Sequence, residues 1–260
     1  MDHTNISLNL SVEQTPKKIQ KRDVSEYVVN NVDYITIPHL NQNTLKTAYK
    51  SASQLSDVYG VDPSRVIPHI GARSIQSKKE LTEAVNNFKG LGVERLLIVG
   101  GNPSQPKGPY RDAESVRRRV TELHNFRTHC GVYPDTESAS GVYLYKYVRF
   151  ESGFTQLSLS PRKLERFKIN TRIGIPSQAD FDGLYRYMKI CGVGPSIRYP
   201  LRNIFGYTRF MTLNGFNTTK LVKALQPHYT FHIYDFGRLE KTVEDLLDLD
   251  INAGRQYLTG

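Results

Sequence analysis

Five polar or small residues stand in or after short apolar segments, where their chemistry could serve a ligand. His69 lies near the end of one segment, Gly100, Gly101 and Asn102 follow another, and Gln156 lies within a third. An imidazole can transfer a proton, and glycines let a ligand approach backbone N–H groups. An amide donates and accepts hydrogen bonds at once, and a buried amide needs a partner. These residues are candidate ligand contacts, although a core histidine and a tight glycine turn are the structural alternatives.

Two tyrosines and one arginine extend this set of candidates. Tyr133 follows a short apolar segment, and Tyr187 lies in a predicted helix. Their rings could stack on a flat ligand or pack in a core, because both uses suit an aromatic side chain. Arg238 follows the last predicted strand, where its guanidinium suits a ligand that carries a carboxylate. Its alternative role is to cap the end of that strand.

Short apolar segments, which predict strands, alternate along the chain with patterns that predict helices. Strands are predicted at residues 6–10, 34–37, 66–70, 95–99, 130–133, 153–159, 172–175 and 229–234. Helices are predicted at residues 43–59, 77–91, 111–126, 138–151, 161–167, 179–191, 217–225 and 239–249, and a loop or outer turn at residues 13–22. Eight β-α units predict a single (βα)8 TIM-type barrel over residues 1–260, with its site at the carboxyl ends of the strands. Residues 192–215 break the rhythm and are interpreted as an insertion at the barrel mouth.

Composition narrows the class of protein. The 260 residues suit one barrel of roughly 250. With two cysteines and no apolar run long enough for a membrane span, we expect a cytoplasmic protein without a membrane partner. The net charge of +10 comes without a nucleic-acid-binding motif, so an anionic small ligand explains it better than a nucleic acid. No metal-ligand spacing is visible, and the sequence leaves a homo-oligomer open.

The order of several short motifs resembles that of the methylenetetrahydrofolate reductase family. The motifs are residues 68–69, 100–103, 133–135, 155–156, 174–175 and 232–234, together with Tyr110 and Arg238. The resemblance implies an oxidoreductase of one-carbon metabolism and methionine biosynthesis. It would pass a hydride from NAD(P)H through FAD to 5,10-methylenetetrahydrofolate and give 5-methyltetrahydrofolate.

The resemblance also implies roles for individual residues. The cofactor would contact His69, Gly100, Gly101, Asn102, Tyr110, Tyr133 and Lys146. The reduced folate would contact Gln156, Tyr187 and Arg238, with the arginine near its glutamate tail.

Two family residues that act in catalysis are replaced here. The strand-one glutamate that donates a proton falls on Asn9, and the aspartate near the pterin is Asn102. Asparagine can donate a hydrogen bond but cannot give up a proton. Either another acid serves, with Glu13, Asp135 and Glu137 as candidates, or the chemistry differs.

Gly100 replaces a family arginine, which removes a bidentate phosphate contact and weakens the expectation of FAD. Two further functions therefore stay open. One is a folate-dependent one-carbon enzyme that works without flavin. The other is a non-catalytic barrel that binds folate or a partner and regulates one-carbon metabolism.

Overall fold

Eight parallel strands close into a barrel, which confirms the predicted (βα)8 fold. The computed structural model describes residues 8–39, 44–101, 108–133, 149–157, 170–178, 211–212, 215–225 and 230–256. The barrel strands are β1 (Asn9–Glu13), β2 (Tyr34–Ile37), β3 (Val66–Gly71), β4 (Arg95–Val99), β5 (Arg127–Val132), β6 (Ser152–Thr155), β7 (Thr171–Pro176) and β8 (Thr230–Tyr234). They follow one another in sequence around the barrel, and β8 pairs with β1 to close it.

Helices occupy the connections between the strands. They are α1 (Pro16–Gln20), α2 (Glu26–Asn31), α3 (Leu45–Tyr59), α4 (Lys78–Leu91), α5 (Ala113–Leu123), α6 (Thr218–Ala224) and α7 (Leu239–Gln256). Two 3₁₀ turns lie at Pro63–Arg65 and Ala72–Ser74, and a small hairpin joins Met211–Thr212 to Gly215–Phe216. None of the helices in the described part of the chain is long and apolar enough to cross a membrane.

Local sequence signals explain where the long helices begin and end. Ser77 caps α4 by accepting a hydrogen bond from the backbone N–H of Glu80 at 3.1 Å. The Glu80 carboxylate in turn accepts a hydrogen bond from the backbone N–H of Gln76 at 2.7 Å. Gly60 ends α3 and Gly92 ends α4 with positive φ angles of 65° and 94°, which glycine adopts without steric cost.

The sequence prediction was wrong for the first strand and the segment that follows it. The first strand runs from Asn9 to Glu13 rather than over residues 6–10, and the segment 13–22 contains α1 rather than only a loop. Thr15 caps α1, and Pro16 opens it with a φ already suited to a helix. The predicted helices at 161–167 and 179–191, nearly all of 138–151 and most of the 192–215 segment lie outside the described residues.

The strands separate two apolar regions. A large cluster lies between the sheet and the helices and includes Leu10 and Val12 of β1. A small cluster of Ile67, Leu97 and Phe154 fills the barrel itself. Successive strand residues point to opposite faces, so the residues that alternate with Leu10 and Val12 point into the barrel. The inward positions of β1 are therefore polar, and they end at Glu13.

Candidate active site at the carboxyl ends of the strands

All eight strands are parallel, so their carboxyl ends meet at one rim, which we call the mouth. Inward-facing side chains near this rim come from β1, β3, β6 and β8. In a barrel of this kind, the packed interior forms the floor beneath the mouth.

An aromatic and imidazole ladder crosses the barrel beneath the mouth. Ring centroids are 5.6 Å apart for His129 and Phe154, 5.3 Å for Phe154 and His232, and 4.7 Å for His232 and Tyr234. Each contact has an edge-to-face geometry, which is favourable for aromatic rings. Ser11 fixes the ladder to β1, because its Oγ lies 3.0 Å from Nδ1 of His232. The ladder thus links β5, β6, β8 and β1 into one rigid floor.

Tyr234 reaches across β7 because that strand has a glycine beneath the ring. The Tyr234 hydroxyl donates a hydrogen bond to the carbonyl oxygen of Thr155 on β6 at 3.0 Å. A Cβ atom at Gly174 would lie 2.8 Å from the Tyr234 ring and 2.3 Å from that carbonyl oxygen. Gly174 therefore allows β8 to be joined to β6 over the intervening strand.

His69 on β3 is a neutral imidazole with an unsatisfied nitrogen. The residue is 9% exposed, and its Nε2 atom has no hydrogen-bond partner. Burial lowers the pKa of His69 to about 3, and the nearby His39 adds to this effect. Burial likewise lowers the pKa of His232, with His69 contributing. Both imidazoles are therefore uncharged at neutral pH and can serve as hydrogen-bond donors or acceptors.

Glu13 brings an acid to the mouth. It is the last residue of β1, it is partly exposed, and its carboxyl forms no hydrogen bond or ion pair with any described residue. Burial and, to a smaller extent, the neighbouring carboxylate of Asp235 together raise the pKa of Glu13 from 4.5 to about 7. At neutral pH this carboxyl therefore exists in both protonation states, as a general acid requires.

Asp235 follows β8 and has a different environment from Glu13. Its side chain is 8% exposed, and Lys18 of α1 places Nζ 2.5 Å from its Oδ2 atom. Asp235 therefore has a positively charged partner, whereas Glu13 has none among the described residues. Two neighbouring carboxyls with contrasting environments are a common arrangement in acid–base sites.

Several of the residues proposed from the sequence lie at the mouth. His69 is near the end of β3, Tyr133 and Gln156 directly follow β5 and β6, and Arg238 is exposed in the turn after β8. Gln156 donates its backbone N–H to the carbonyl oxygen of Val132 at 2.7 Å, which ties these two strand ends together.

The two glycines after β4 are also on this rim, and a neighbouring loop explains one of them. Gly101 has a φ of 85°, and a Cβ there would lie 3.0 Å from Cβ of Arg73. The carbonyl oxygen of Gly100 accepts a hydrogen bond from the Arg73 backbone at 3.3 Å, but a Cβ at Gly100 would meet no described atom within 4 Å. Close packing of the β3 and β4 loops therefore accounts for Gly101 and not for Gly100.

Asn9 lies at the wrong end of the barrel for the role implied by the resemblance. It is the first residue of β1 and pairs with Thr230, the first residue of β8. Glu13 lies four positions further along the strand, which corresponds to about 13 Å. The sequence prediction placed the first strand too early, and this caused the error. Of the three alternative acids named from the sequence, Glu13 is the one that lies at the carboxyl end of β1.

Tyr110 also lies away from the mouth, contrary to its predicted contact with a flavin. It is 6% exposed and packs in the large cluster between the sheet and the helices. Burial raises the pKa of its hydroxyl, which also feels the charges of Arg119 and Glu122 on α5. Asn102, Lys146 and Tyr187 lie outside the described residues.

No protein family model matches the chain, and the comparisons with solved structures identify its fold. N-acetylneuraminate lyase from Fusobacterium nucleatum aligns over 97% of this chain and 78% of its own, with a TM-score of 0.50 and 10% identity. Orotidine 5'-phosphate decarboxylase from Pyrococcus horikoshii OT3 aligns over 94% and 99%, with a TM-score of 0.50 and 9% identity. No group of three or more His, Cys, Asp or Glu side chains in the described segments could hold a metal ion. Likeness at this identity is likeness of fold, and the chain has the fold of a (βα)8 barrel.

Proposed function

We propose that this protein is an oxidoreductase that reduces 5,10-methylenetetrahydrofolate to 5-methyltetrahydrofolate at the barrel mouth, with Glu13 as its general acid. NAD(P)H would be the source of the hydride. The observation that carries the proposal is the Glu13 carboxyl, whose pKa is about 7 and which lies at the carboxyl end of β1.

In this proposal, Glu13 takes the role of the glutamate that the family has on its first strand. The resemblance to methylenetetrahydrofolate reductases calls for a proton donor on the first strand, and the observed limits of β1 put a glutamate at its end. Opening the methylene bridge to an iminium requires a proton on the leaving nitrogen. A positioned acid with a pKa near the working pH contributes about 10²–10⁴-fold to such a step.

The neighbouring ion pair supports the assignment of the proton to Glu13. Nζ of Lys18 lies 2.5 Å from Oδ2 of Asp235 and forms an ion pair with it. The carboxylate of Asp235 disfavours a second ionised carboxyl close by, so the proton is held at Glu13. Asp235 acts here through its effect on Glu13 and is a positioning residue.

The floor of the mouth suits a flat heterocycle. Tyr234 and His232 offer rings, Gln156 offers an amide, and Nε2 of His69 is a buried polar atom that needs a partner. An unsatisfied buried nitrogen costs about 1–3 kcal/mol, which a hydrogen bond from a bound ring would recover. These residues would hold the ring of a pterin or of FAD, which supplies a hydride carrier when it is bound.

The test combines spectroscopy with turnover. Purified protein should take up FAD, with visible flavin absorption, and should oxidise NAD(P)H only when methylenetetrahydrofolate is present. The variant Glu13→Gln should retain FAD and lose about 10²–10⁴-fold in kcat. Glu83→Gln is the matched control, because Glu83 is exposed on α4 and pairs only with Lys79 there. Full activity of E13Q, or wild-type protein that neither binds FAD nor turns over, would refute the proposal.

A flavin-independent, folate-dependent one-carbon enzyme is the second candidate. The position of Tyr110 in the helical layer favours it, because this tyrosine was one of the expected flavin contacts. Calorimetry distinguishes the two candidates. Tight binding of 5-methyltetrahydrofolate by protein that ignores FAD would select the second, whereas absence of folate binding would exclude both. Turnover of NAD(P)H with any folate would exclude a purely regulatory barrel.

A further inference from the structure

The end of the barrel opposite the mouth contains an arginine whose Nη1 atom has no hydrogen-bond partner among the described residues. Arg172 is on the inward face of β7, where it pairs in register with Phe154. Its guanidinium carbon lies 4.7 Å from the ring centroid of Tyr34 and 5.7 Å from that of Phe154. The Nη1 atom is buried and has no hydrogen-bond partner. The guanidinium contacts described here are those with the rings of Tyr34 and Phe154.

A second guanidinium shares the same tyrosine ring. The Cζ atom of Arg95 lies 5.0 Å from the ring centroid of Tyr34. Arg95 donates to the carbonyl oxygen of Ser64 at 3.0 Å and to the carboxylate of Glu94 at 3.3 Å. Arg172 has no comparable contact, so the two arginines leave an excess of positive charge beside one aromatic ring.

Other arginines of the barrel wall have carboxylate partners. Arg127 pairs with Glu151, and Arg149 pairs with Glu114 at 3.0 Å. A buried cation without a hydrogen-bonded anion is costly, because it loses hydration and gains no ion pair. Burial and the nearby Arg95 lower the pKa of Arg172 to about 10, against the opposing effects of Tyr34 and Asp33. Arg172 therefore stays charged at neutral pH and lacks a close counterion.

We propose that Arg172 and Arg95 form a binding site for a small oxyanion, a phosphate or carboxylate group, at the amino-terminal end of the barrel. The ring of Tyr34 lies within 5.0 Å of both guanidinium carbons, and Nη1 of Arg172 has no hydrogen-bond partner among the described residues. A planar guanidinium edge matches two oxygens of a phosphate or carboxylate. Arg172 as a whole is partly exposed, although its Nη1 atom is buried.

This site is separate from the mouth and from the chemistry proposed there. Arg172 is the second residue of β7, whereas the mouth lies beyond the carboxyl ends of the strands. Active sites of these barrels collect at the carboxyl ends, and residues at the other end contribute to stability. An anion bound between β4 and β7 would therefore act on the stability of the fold.

The test is thermal unfolding of the whole protein at constant ionic strength, in which chloride is replaced stepwise by millimolar phosphate or acetate. Phosphate should raise the unfolding midpoint by about 5 °C at a concentration near 100 times its Kd. A larger shift with phosphate identifies a phosphate site, and a larger shift with acetate identifies a carboxylate site. Equal midpoints in chloride, phosphate and acetate would overturn the proposal.

Two variants separate specific binding from a general salt effect. Arg172→Met should abolish the anion-dependent shift, whereas Arg127→Met removes the same charge from a paired arginine and should retain it. An equal shift in both variants would overturn the assignment, because excluded salts stabilise any fold. If R172M does not fold, Arg95→Met takes its place and should weaken phosphate binding about fivefold. Unchanged binding in R95M would also contradict the proposal.

Discussion

Replacement of Glu13 by glutamine should change how the stability of the protein depends on pH. The pKa of Glu13 rises from 4.5 to about 7 on folding. Each pKa unit corresponds to about 1.4 kcal/mol, so ionised Glu13 destabilises the folded state by about 3 kcal/mol. Between these two pKa values the folded state binds more protons than the unfolded state, so this destabilisation grows as pH rises through the window and is complete above pH 7. Below pH 4.5 it disappears.

Urea unfolding at pH 4.5 and pH 8 measures this effect. Glutamine has nearly the same shape as glutamic acid and carries no charge. E13Q should therefore match wild-type protein at pH 4.5 and exceed its unfolding free energy by about 3 kcal/mol at pH 8. Glu83→Gln provides the control, since this exposed carboxylate has only a long ion pair of 3.7 Å with Lys79.

One result would refute the reasoning about Glu13. If the difference between E13Q and wild type is the same at pH 4.5 and pH 8, the carboxyl does not titrate abnormally, and its role as an acid at neutral pH fails. If E13Q is instead more stable than wild type at pH 8 only, ionised Glu13 lowers the stability of the folded protein. Such a loss is common for residues that are kept for function rather than for stability.

Three further substitutions test other parts of the structure. Lys18→Met removes the partner of Asp235 and should cost about 1–2 kcal/mol in urea unfolding, because the lysine is partly exposed. It should also raise the pH at which the Glu13-dependent stability changes. Gly174→Ala inserts a Cβ that would lie 2.3 Å from a backbone oxygen of β6 and should cost about 1–3 kcal/mol in the same assay. Glu114→Gln should cost about 1–2 kcal/mol at pH 7 and little near pH 2, since ion pairs with three arginines lower the Glu114 pKa to about 2.

Each of these expectations has a contradicting result. Unchanged stability of K18M would mean that the ion pair is screened by solvent. Gly90→Ala, at an open site in α4, should be neutral or stabilising, so an equal loss in G174A and G90A would rule out the steric explanation. A loss in E114Q that persists undiminished near pH 2 would show that packing, rather than charge, supports that position. In that case the depressed pKa would not contribute to stability.

The sequence predicted most of the barrel because several of its strands contain apolar runs that are bounded by turn residues. The second strand, for example, ends before Pro38, and the fourth ends before Gly100. The first strand was misplaced because its inward positions are Asn9, Ser11 and Glu13, so it lacks an apolar run. A polar barrel interior erases the signal on which strand prediction depends.

The short helices α1 and α2 were missed for a different reason. With five and six residues, neither is long enough to show a helical period. Their starts were nevertheless visible, since Thr15 precedes a proline and Ser25 precedes an acidic residue. Ser25 accepts a hydrogen bond from the Val28 backbone at 3.3 Å, which is an ordinary helix cap.

The site was predictable only where a residue's role follows from its place on a strand. The positions of His69, Tyr133 and Gln156 at the mouth could be predicted because each lies at or just after the end of a strand. The partnership of Lys18 with Asp235 joins residues 217 positions apart, and no local pattern encodes it. The raised pKa of Glu13 depends on that same distant region, so it appears only in the folded molecule.

The pairing of β1 with β8 brings together the first and the last barrel strand to be synthesised. Ser11 contacts His232, which is synthesised 221 residues later. During translation, Glu13 is an ordinary solvated carboxyl, and its pKa rises only when folding buries it and brings Asp235, which follows the eighth strand, close to it. A nascent chain that stops short of β8 could form most of the wall, but it would lack both Asp235 and the strand that closes the barrel on β1.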